Sequence, residues 1–413
     1  MSFQAISFYL GCSPQKEISR RTMDLIDTYE RSEAIATGCL ANILKSDSRP
    51  KGWKAFGIGN ELKPSDLFCF LHAKYGQPNG IQNYLRNDSS DNLIHWEWVL
   101  VSDKGFLSFL GMNLRTEITF IGDWEVSRED LDELVNHIKA EFPKFGKEMG
   151  QVRKDLEDWD LFVNPYQQLK SSVDQLHSDL VSLQLDPSVE KIDNPTDPAS
   201  FKKFQTDWGD LMQRYNRGVG LAMALQIMAP ILAESFVNFV IFILCRPDIK
   251  KNKRVFESVV KANIDVRVQS LHVNCIGFRS PVDWSSTPCR EYNSIVNRRN
   301  DLLHGNISPG KMKIGEVFFK GKIPIFKEYE TLWQHSIGVS LEASGFFSIQ
   351  REIEIVREFI AYVSSCLEEA YKENVEFMSE RRDLGLNKGD ARIGVLLPDS
   401  IADFGVNFSA EED

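Results

Sequence analysis

Three apolar runs follow one another in the first third of the chain, at residues 95–101, 106–110 and 116–121. Aromatic and β-branched residues dominate them, and turn-forming residues separate the first two, so the pattern predicts an antiparallel meander. A helical candidate lies within residues 18–44, and Ser127 begins another in which apolar residues recur at helical spacing. We therefore predict a mixed α/β domain over residues 1–150.

A charged stretch and a cluster of prolines come next. Apolar residues recur every three to seven positions between residues 150 and 185, which predicts a helical spacer or a dimer-forming arm. Pro187, Pro195 and Pro198 each follow Asp or Asn, a combination typical of turns. Residues 151–205 are accordingly predicted to be a spacer and linker, with the domain boundary among these prolines.

The most apolar stretch, residues 221–245, carries almost no charge and is long enough to cross a membrane. A polar stripe nevertheless runs along it at steps of four, formed by Gln226, Pro230, Glu234 and Asn238. Pro230 is also a candidate start of a second helix after a break. Because a glutamate facing lipid is costly, the pattern favours a helix buried in a bundle, its stripe facing a polar groove, over the alternative of a membrane span.

Further helices predict a mainly α-helical domain over residues 206–385. We expect one helix from about residue 254 to 271, one ending near residue 304 and one from 348 to 382. Residues 317–326 predict a small hairpin inserted in this bundle, and residues 386–413 form a tail. The predicted fold class is therefore α+β: a mixed α/β domain with an antiparallel meander, followed by a mainly α-helical bundle.

The composition is that of an ordinary globular protein, with 42% hydrophobic and 26% charged residues in a chain of 413. The seven cysteines lack the spacing of a zinc site or a disulfide framework, which fits the reducing cytoplasm. Gly57-Ile58-Gly59 lacks the third glycine of a nucleotide-binding loop. We predict neither a metal nor an organic cofactor.

The net charge of −11 is unevenly distributed. Between Arg246 and Glu330 there are 16 Lys plus Arg against 9 Asp plus Glu, so this segment is basic within an acidic protein. A basic segment of this kind suits contact with a phosphate backbone. A solvated, partly paired surface explains the same excess equally well.

One predicted helix ends in residues that carry chemistry, namely Arg298, Arg299, Asn300 and His304, followed by Gly305. Glycine is the usual residue just past a helix end. Asn300 and His304 are four positions apart and share a helix face, whereas Arg299 and His304 lie about 140° apart around the axis. The latter pair cannot point the same way from one helix, but both can border a groove shared with a second helix.

The run Arg-Asn-Asp-Leu-Leu-His at residues 299–304 resembles the Arg-X4-6-His motif of the HEPN superfamily, usually read as Arg-Asn-X3-His. Members of that family are helical bundles, and many are metal-independent endoribonucleases of toxin, antiphage and RNA-processing systems. The resemblance covers about residues 206–385 and implies a homodimer in which two Arg–His pairs meet in one groove. Asn306 replaces the tyrosine found in toxins silenced by a nucleotidyltransferase partner, which argues against that form of regulation.

The resemblance implies a role for each motif residue. His304 can act as base or acid in RNA cleavage, Arg299 offers a planar charged fork to the phosphate, and Asn300 is placed to orient the imidazole. Glu234 and Asn238 are the supporting candidates that face the motif helix, with a simple pairing of Glu234 to a buried basic residue as the alternative. The RNA-binding candidates are Arg298, Lys311 and Lys313.

The sequence thus predicts a cytoplasmic, homodimeric endoribonuclease that leaves a 2′,3′-cyclic phosphate and a 5′-hydroxyl. Its N-terminal domain is a candidate sensor or specificity module, which suits a toxin or an antiphage defence effector. RNA is the expected partner, an antitoxin or regulatory protein is a further candidate, and no membrane is expected. The alternative is a non-catalytic HEPN-like module that dimerises or binds RNA or nucleotide.

Overall fold

The computed structural model describes residues 24–45, 51–85, 93–113, 115–187, 189–190, 195, 197–304, 313–328, 331 and 333–397. The chain divides into two units, one formed by Met1–Asp160 with Gly385–Asp413 and the other by Leu161–Leu384. The first contains a large antiparallel sheet and the second is mainly helical, so the predicted α+β class is confirmed.

The first unit is built on one antiparallel sheet. Its strands are β1 (Glu33–Ala34), β2 (Trp53–Ile58), β3 (Trp96–Ser102), β4 (Gly105–Gly111) and β5 (Thr116–Gly122), in the order β1-β3-β4-β5-β2. β3, β4 and β5 form the predicted meander. Gly105 opens β4 with a φ of +129°, and a Cβ there would lie 2.1 Å from the carbonyl oxygen of Ile121, so this turn requires glycine.

Helices cover the sheet and close the core of the first unit. They are α1 (residues 24–31), α2 (Thr37–Lys45), α3 (Pro64–Tyr75), α4 (Gln82–Leu85), α5 (Arg128–Glu141) and α6 (Gly146–Asp155). α5 begins as predicted at Ser127, whose side chain and that of Asp130 form a reciprocal capping box. The core contains Phe70 of α3, Trp98 of β3 and Leu134 of α5, all fully buried.

The second unit is organised around a single helix. This helix, α8 (Pro198–Leu244), has 47 residues and is therefore about 70 Å long. The other helices of the unit are α7 (Pro165–Ser182), α9 (Pro247–Lys251), α10 (Lys253–Lys261), α11 (Ile264–Gln269), α12 (Leu271–Asn274), α13 (Thr287–Leu303), α14 (Val339–Ala343), α15 (Ile349–Ser365) and α16 (Glu369–Ser379). α7, α13 and α15 pack along α8. Between α13 and α15, the rings of Tyr292 and Phe359 stack with centroids 4.1 Å apart.

Two small sheets complete the fold. β7 (Val317–Lys320) and β8 (Ile323–Phe326) pair as an antiparallel hairpin, which confirms the predicted insertion. A three-stranded sheet of order β10-β9-β6 contains β6 (Trp159–Val163), β9 (Asp383–Asn387) and β10 (Ile393–Gly394). The sequence pattern does not predict these last three strands.

The predicted break of the apolar helix at Pro230 is wrong, because α8 continues through it. A proline inside a helix removes one hydrogen bond and costs about 3 kcal/mol. Apolar side chains on both sides of it, such as Leu225 and Phe236, are buried against the rest of the unit. That burial offsets the cost of the proline.

Two other helices expected to be continuous are interrupted. The helix predicted for residues 254–271 is divided into α10, α11 and α12: Ala262 and Asn263, whose ψ angles are near 150°, separate the first two, and Ser270 separates the last two. The helix predicted for residues 348–382 is divided into α15 and α16. There, Leu367 forms a backbone bridge with Phe278, which a continuous helix would not permit.

The unit boundaries differ from the domain boundaries expected from the proline cluster. The chain passes from the first unit to the second between Asp160 and Leu161, and the described residues 385–397 group with the first unit. α7 lies within the predicted spacer of residues 151–205. Because its residues Tyr166, Val173 and Leu180 are buried and it packs along α8, it is part of the helical unit.

One described helix is long and apolar enough to cross a membrane, over Ser200–Leu244. Of its most apolar window, 56% is buried inside the protein. This burial is what the core helix of a helical bundle requires, and it supports the bundle interpretation over the membrane span.

Candidate active site at the end of helix α13

Helix α13 fixes the direction of the motif residues. Pro288 lies in its first turn, and the helix ends at Leu303 with His304 as the capping residue. Tyr292 and Ile295 are buried on the side that packs on α8 and α15. Arg299 follows Tyr292 by two helical turns, so it lies on this same inner side. Gly305 and Asn306 lie outside the described residues.

Arg299 is held by two side chains. Its Nη1 lies 3.1 Å from Oε1 of Glu234 on α8, and its Nε and Nη2 donate to Oδ1 of Asn300 at 3.3 and 3.1 Å. The Arg299 side chain is only 13% exposed. The guanidinium is therefore fixed at the interface of α13 and α8.

A second arginine, Arg267 of α11, shares the same carboxylate. Its Nη2 lies 3.8 Å from Oε2 of Glu234, and its Nη1 donates to Oδ1 of Asn238 at 2.6 Å. The side chain is 10% exposed, and its Nε has no hydrogen-bond partner among the described residues. Glu234 thus pairs with two largely buried arginines, one of which, Arg299, lies on the motif helix.

Arg267 was not among the residues that the sequence pattern identified. The only local signal is a cation flanked by the apolar residues Val266 and Val268. Its role depends on the turn between α10 and α11, which directs α11 against α8. That turn is not apparent in the apolar periodicity.

The polar stripe on α8 faces polar partners along its length. Beyond Glu234 and Asn238, Nε2 of Gln226 donates to Oε1 of Glu352 at 3.3 Å, and the carbonyl oxygen of Pro230 accepts from the Tyr292 hydroxyl at 3.1 Å. Burial, and after it the negative charge of Glu234, raises the pKa of Tyr292 above its ordinary value. The predicted polar groove therefore exists, and polar groups of the helical unit occupy it.

His304 takes no part in the side-chain hydrogen bonds of this cluster. Its side chain is exposed and forms no hydrogen bond or ion pair within the described part of the chain, while its backbone N–H donates to the carbonyl oxygen of Asn300 at 3.0 Å. The Asn300 side-chain oxygen is bound by Arg299, so Asn300 does not orient the imidazole in this structure. Arg299 is thus largely buried against α8, whereas the His304 side chain is exposed.

Two of the three RNA-binding candidates form ion pairs, and the third lies outside the described residues. Arg298 is 48% exposed and pairs with the buried carboxylate of Glu352. Lys313 pairs with Glu316, and the hydrogen bonds from Lys313 and Lys327 lower the pKa of Glu316 to about 2. Lys311 lies outside the described residues.

An open cleft of about 480 Å³ runs beside the cluster between α7 and α8. Glu234 and Asn238 line it together with Gln168 and Ser172 of α7. Solvent or a ligand in this cleft would therefore contact the carboxylate that holds both arginines.

No group of three or more His, Cys, Asp or Glu side chains is arranged to hold a metal ion in the described part of the chain. Comparisons of the chain with models of protein families, with curated proteins and with solved structures give no match.

Proposed function

We propose that the chain is an endoribonuclease that cleaves RNA through Arg299 and His304, by attack of a ribose 2′-oxygen on the adjacent phosphate. The observation that carries the proposal is the arrangement at the end of α13. There an exposed imidazole without a partner among the described residues lies five positions from a guanidinium whose orientation is fixed by Glu234 and Asn300. These are the two side-chain types that RNA cleavage without a metal requires.

In the proposed reaction, His304 takes the proton from the 2′-hydroxyl. The 2′-oxygen then bonds to phosphorus, and the bond to the 5′-oxygen breaks as that oxygen receives a proton. His304 of the partner subunit supplies this proton, which gives the homodimer its function. The products are a 2′,3′-cyclic phosphate and a 5′-hydroxyl, so atoms and charge balance without a further reagent.

Arg299 stabilises the charge that develops on the phosphate oxygens. To do so, its guanidinium releases the Glu234 carboxylate and binds the phosphate instead. Arg267 lies 3.8 Å from the same carboxylate and can remain its counterion during the exchange. The two-arginine arrangement therefore allows Arg299 to act on substrate without leaving Glu234 unpaired.

A non-catalytic RNA-binding or dimerisation module is the second candidate. The observation that favours it is that the Arg299 guanidinium is already bound by Glu234 and Asn300 and is only 13% exposed. In that case Arg299 holds α13 to α8, and His304 contributes no chemistry.

The proposed biological setting rests on the resemblance to HEPN proteins alone. It is a cytoplasmic toxin or antiphage effector, with the first unit as a sensor or specificity module and an antitoxin or regulatory protein as a further partner. The RNA-cleaving site is the part of this proposal that an experiment on the purified protein can test.

The chemistry of the product ends tests the proposed reaction. We expect purified protein in EDTA to cut single-stranded RNA into fragments with 2′,3′-cyclic phosphate and 5′-hydroxyl ends. A single 2′-deoxy substitution at a mapped cleavage position should abolish cutting there and leave neighbouring positions unaffected, because the nucleophile is missing only at that site. Fragments with 3′-hydroxyl and 5′-phosphate ends, or unchanged cutting at the deoxy position, would contradict the mechanism.

A further inference from the structure

The hairpin of β7 and β8 exposes an unusual amount of apolar surface. All eight of its strand residues are exposed, and the exposed fraction reaches 58% for Phe318, 68% for Phe319 and 65% for Ile323. Apolar side chains scattered singly on a surface need no explanation, but a contiguous group of this kind marks an interaction site.

The charges of the hairpin are distributed unevenly between its base and its tip. At the base, Glu316 pairs with both Lys313 and Lys327, which neutralises part of their charge. At the tip, Lys320 and Lys322 flank Gly321 and have no ion-pair partner among the described residues. The tip is therefore the cationic end of the hairpin.

The register places aromatic rings on both faces near these cations. Successive strand residues point to opposite faces, so Phe318 and Phe319 lie on different faces. Phe318 shares a face with Lys320, two positions along the same strand, and with Ile325 opposite it. That face therefore combines an exposed ring with an unpaired ammonium group about 7 Å further along.

We propose that this hairpin binds single-stranded RNA, with Phe318 and Phe319 stacking on bases and Lys320 and Lys322 binding phosphates. The RNA is the substrate of the proposed nuclease, so the inference rests on that proposed function. Exposed rings beside cations are the combination that holds single strands, because every base presents a π-face and every linkage a negative charge. A duplex hides its base faces and offers only phosphates to the lysines.

Two features favour RNA over lipid as the ligand. Lysines at the tip would enter a bilayer first, where burying their charge is costly. The hairpin is also close to the motif along the chain: Val317, its first residue, follows His304 by 13 residues, which limits their separation to about 45 Å. RNA bound at the hairpin thus remains within reach of the site at the end of α13.

The test measures affinity without cleavage. Wild-type chain and variants are titrated against a fluorescent 2′-O-methyl RNA 20-mer, which offers no 2′-hydroxyl to react. Phe318→Ala with Phe319→Ala should raise the Kd by about tenfold or more. Lys320→Gln with Lys322→Gln should reduce the slope of log K against log salt by about 1.4, since each phosphate contact in a single strand contributes about 0.7.

The matched controls are Phe201→Ala and Lys261→Gln. Phe201 is an exposed phenylalanine of α8, and Lys261 is a lysine paired with Glu257. Both variants should bind RNA as wild type does.

The results separate this inference from the proposed nuclease. If only the hairpin variants bind RNA more weakly, and the wild-type protein never cuts cleavable RNA, the proposed RNA-binding role of the hairpin is supported and the proposed nuclease activity is rejected. Wild-type affinity and salt slope in both hairpin variants, in a protein that cuts RNA, would overturn the hairpin alone. Two other results would also overturn it in favour of a different occupant. In the first, the hairpin variants bind RNA as wild type does but lose binding to phosphatidylcholine–phosphatidylserine vesicles. In the second, they bind RNA as wild type does but change the oligomeric state. Thermal melting of each variant confirms that the fold is retained, as expected for exposed residues.

Discussion

Replacing Arg299 with alanine is expected to lower the rate of RNA cleavage by about 10²–10³-fold, the usual effect of removing a group that stabilises developing oxyanion charge. Arg299 is the motif cation whose orientation is fixed from two sides, by Glu234 and by Asn300. Arg299→Lys should retain little activity, because an ammonium group lacks the planar fork with which the guanidinium can bind Asn300 and a phosphate together. Single-turnover cleavage of a labelled RNA measures both effects.

The control for this substitution is Arg290→Ala on the same helix. Arg290 is exposed and lies more than two turns before Arg299, so its loss should leave the cleavage rate within about threefold of wild type. Equal losses in the two variants would mean that general basic charge on α13, rather than the position of Arg299, supports the activity. Unchanged activity in Arg299→Ala would reject its catalytic role.

Glu234→Ala is expected to lower the free energy of unfolding of the helical unit by about 3 kcal/mol. The substitution leaves Arg267 and Arg299, 10% and 13% exposed, facing each other without their shared carboxylate. Truncating one partner of a buried pair is costly mainly because the remaining charge stays desolvated. Urea unfolding of the variant, followed through the transition of the helical unit, measures the loss.

A double-mutant cycle separates this pairing from simple packing. Arg299→Met combined with Glu234→Ala should cost less than the sum of the two single substitutions, because the methionine removes one of the unpaired charges. Glu291→Ala provides the comparison, since its pair with Arg351 is exposed and should be worth at most about 1 kcal/mol. Additive costs in the cycle would show that Glu234 and Arg299 are not coupled.

Elements with strong local signals were predictable from the sequence. The meander from β3 to β5 has aromatic and β-branched strands joined by a turn that requires glycine, and α5 has a capping box at Ser127. The stripe on α8 was identifiable because three polar residues and a proline recur at steps of four in an apolar helix. In each case the information lies within a few residues of the element.

Features set by distant contacts were not predictable. β9 depends on pairing with β6, more than 200 residues earlier, and the break before α16 depends on the bridge from Leu367 to Phe278. β2 contains Gly57, a poor strand former that is retained because the strand pairs along its length with β5. Local propensity carries no information about such partners.

The candidate site was predictable in its residue types and only partly in its contacts. The stripe on α8 correctly placed Glu234 against the motif helix, where it binds Arg299. Asn300, however, binds Arg299 instead of His304, since an adjacent guanidinium can reach its side-chain oxygen with two donors. Arg267 entered the cluster through the packing of α11 on α8, which is a tertiary property.

The cleavage of mixed RNA by wild type and His304→Ala, side by side in EDTA, tests the central claim most directly. We expect wild type to cut and His304→Ala to be slower by about 10²–10⁴-fold, the contribution of a positioned general acid or base. His272→Ala, which removes another exposed histidine of the helical unit, should cut as wild type does. If His304→Ala cuts as fast as wild type, the end of α13 is not the site of cleavage, and the proposed role of His304 is wrong.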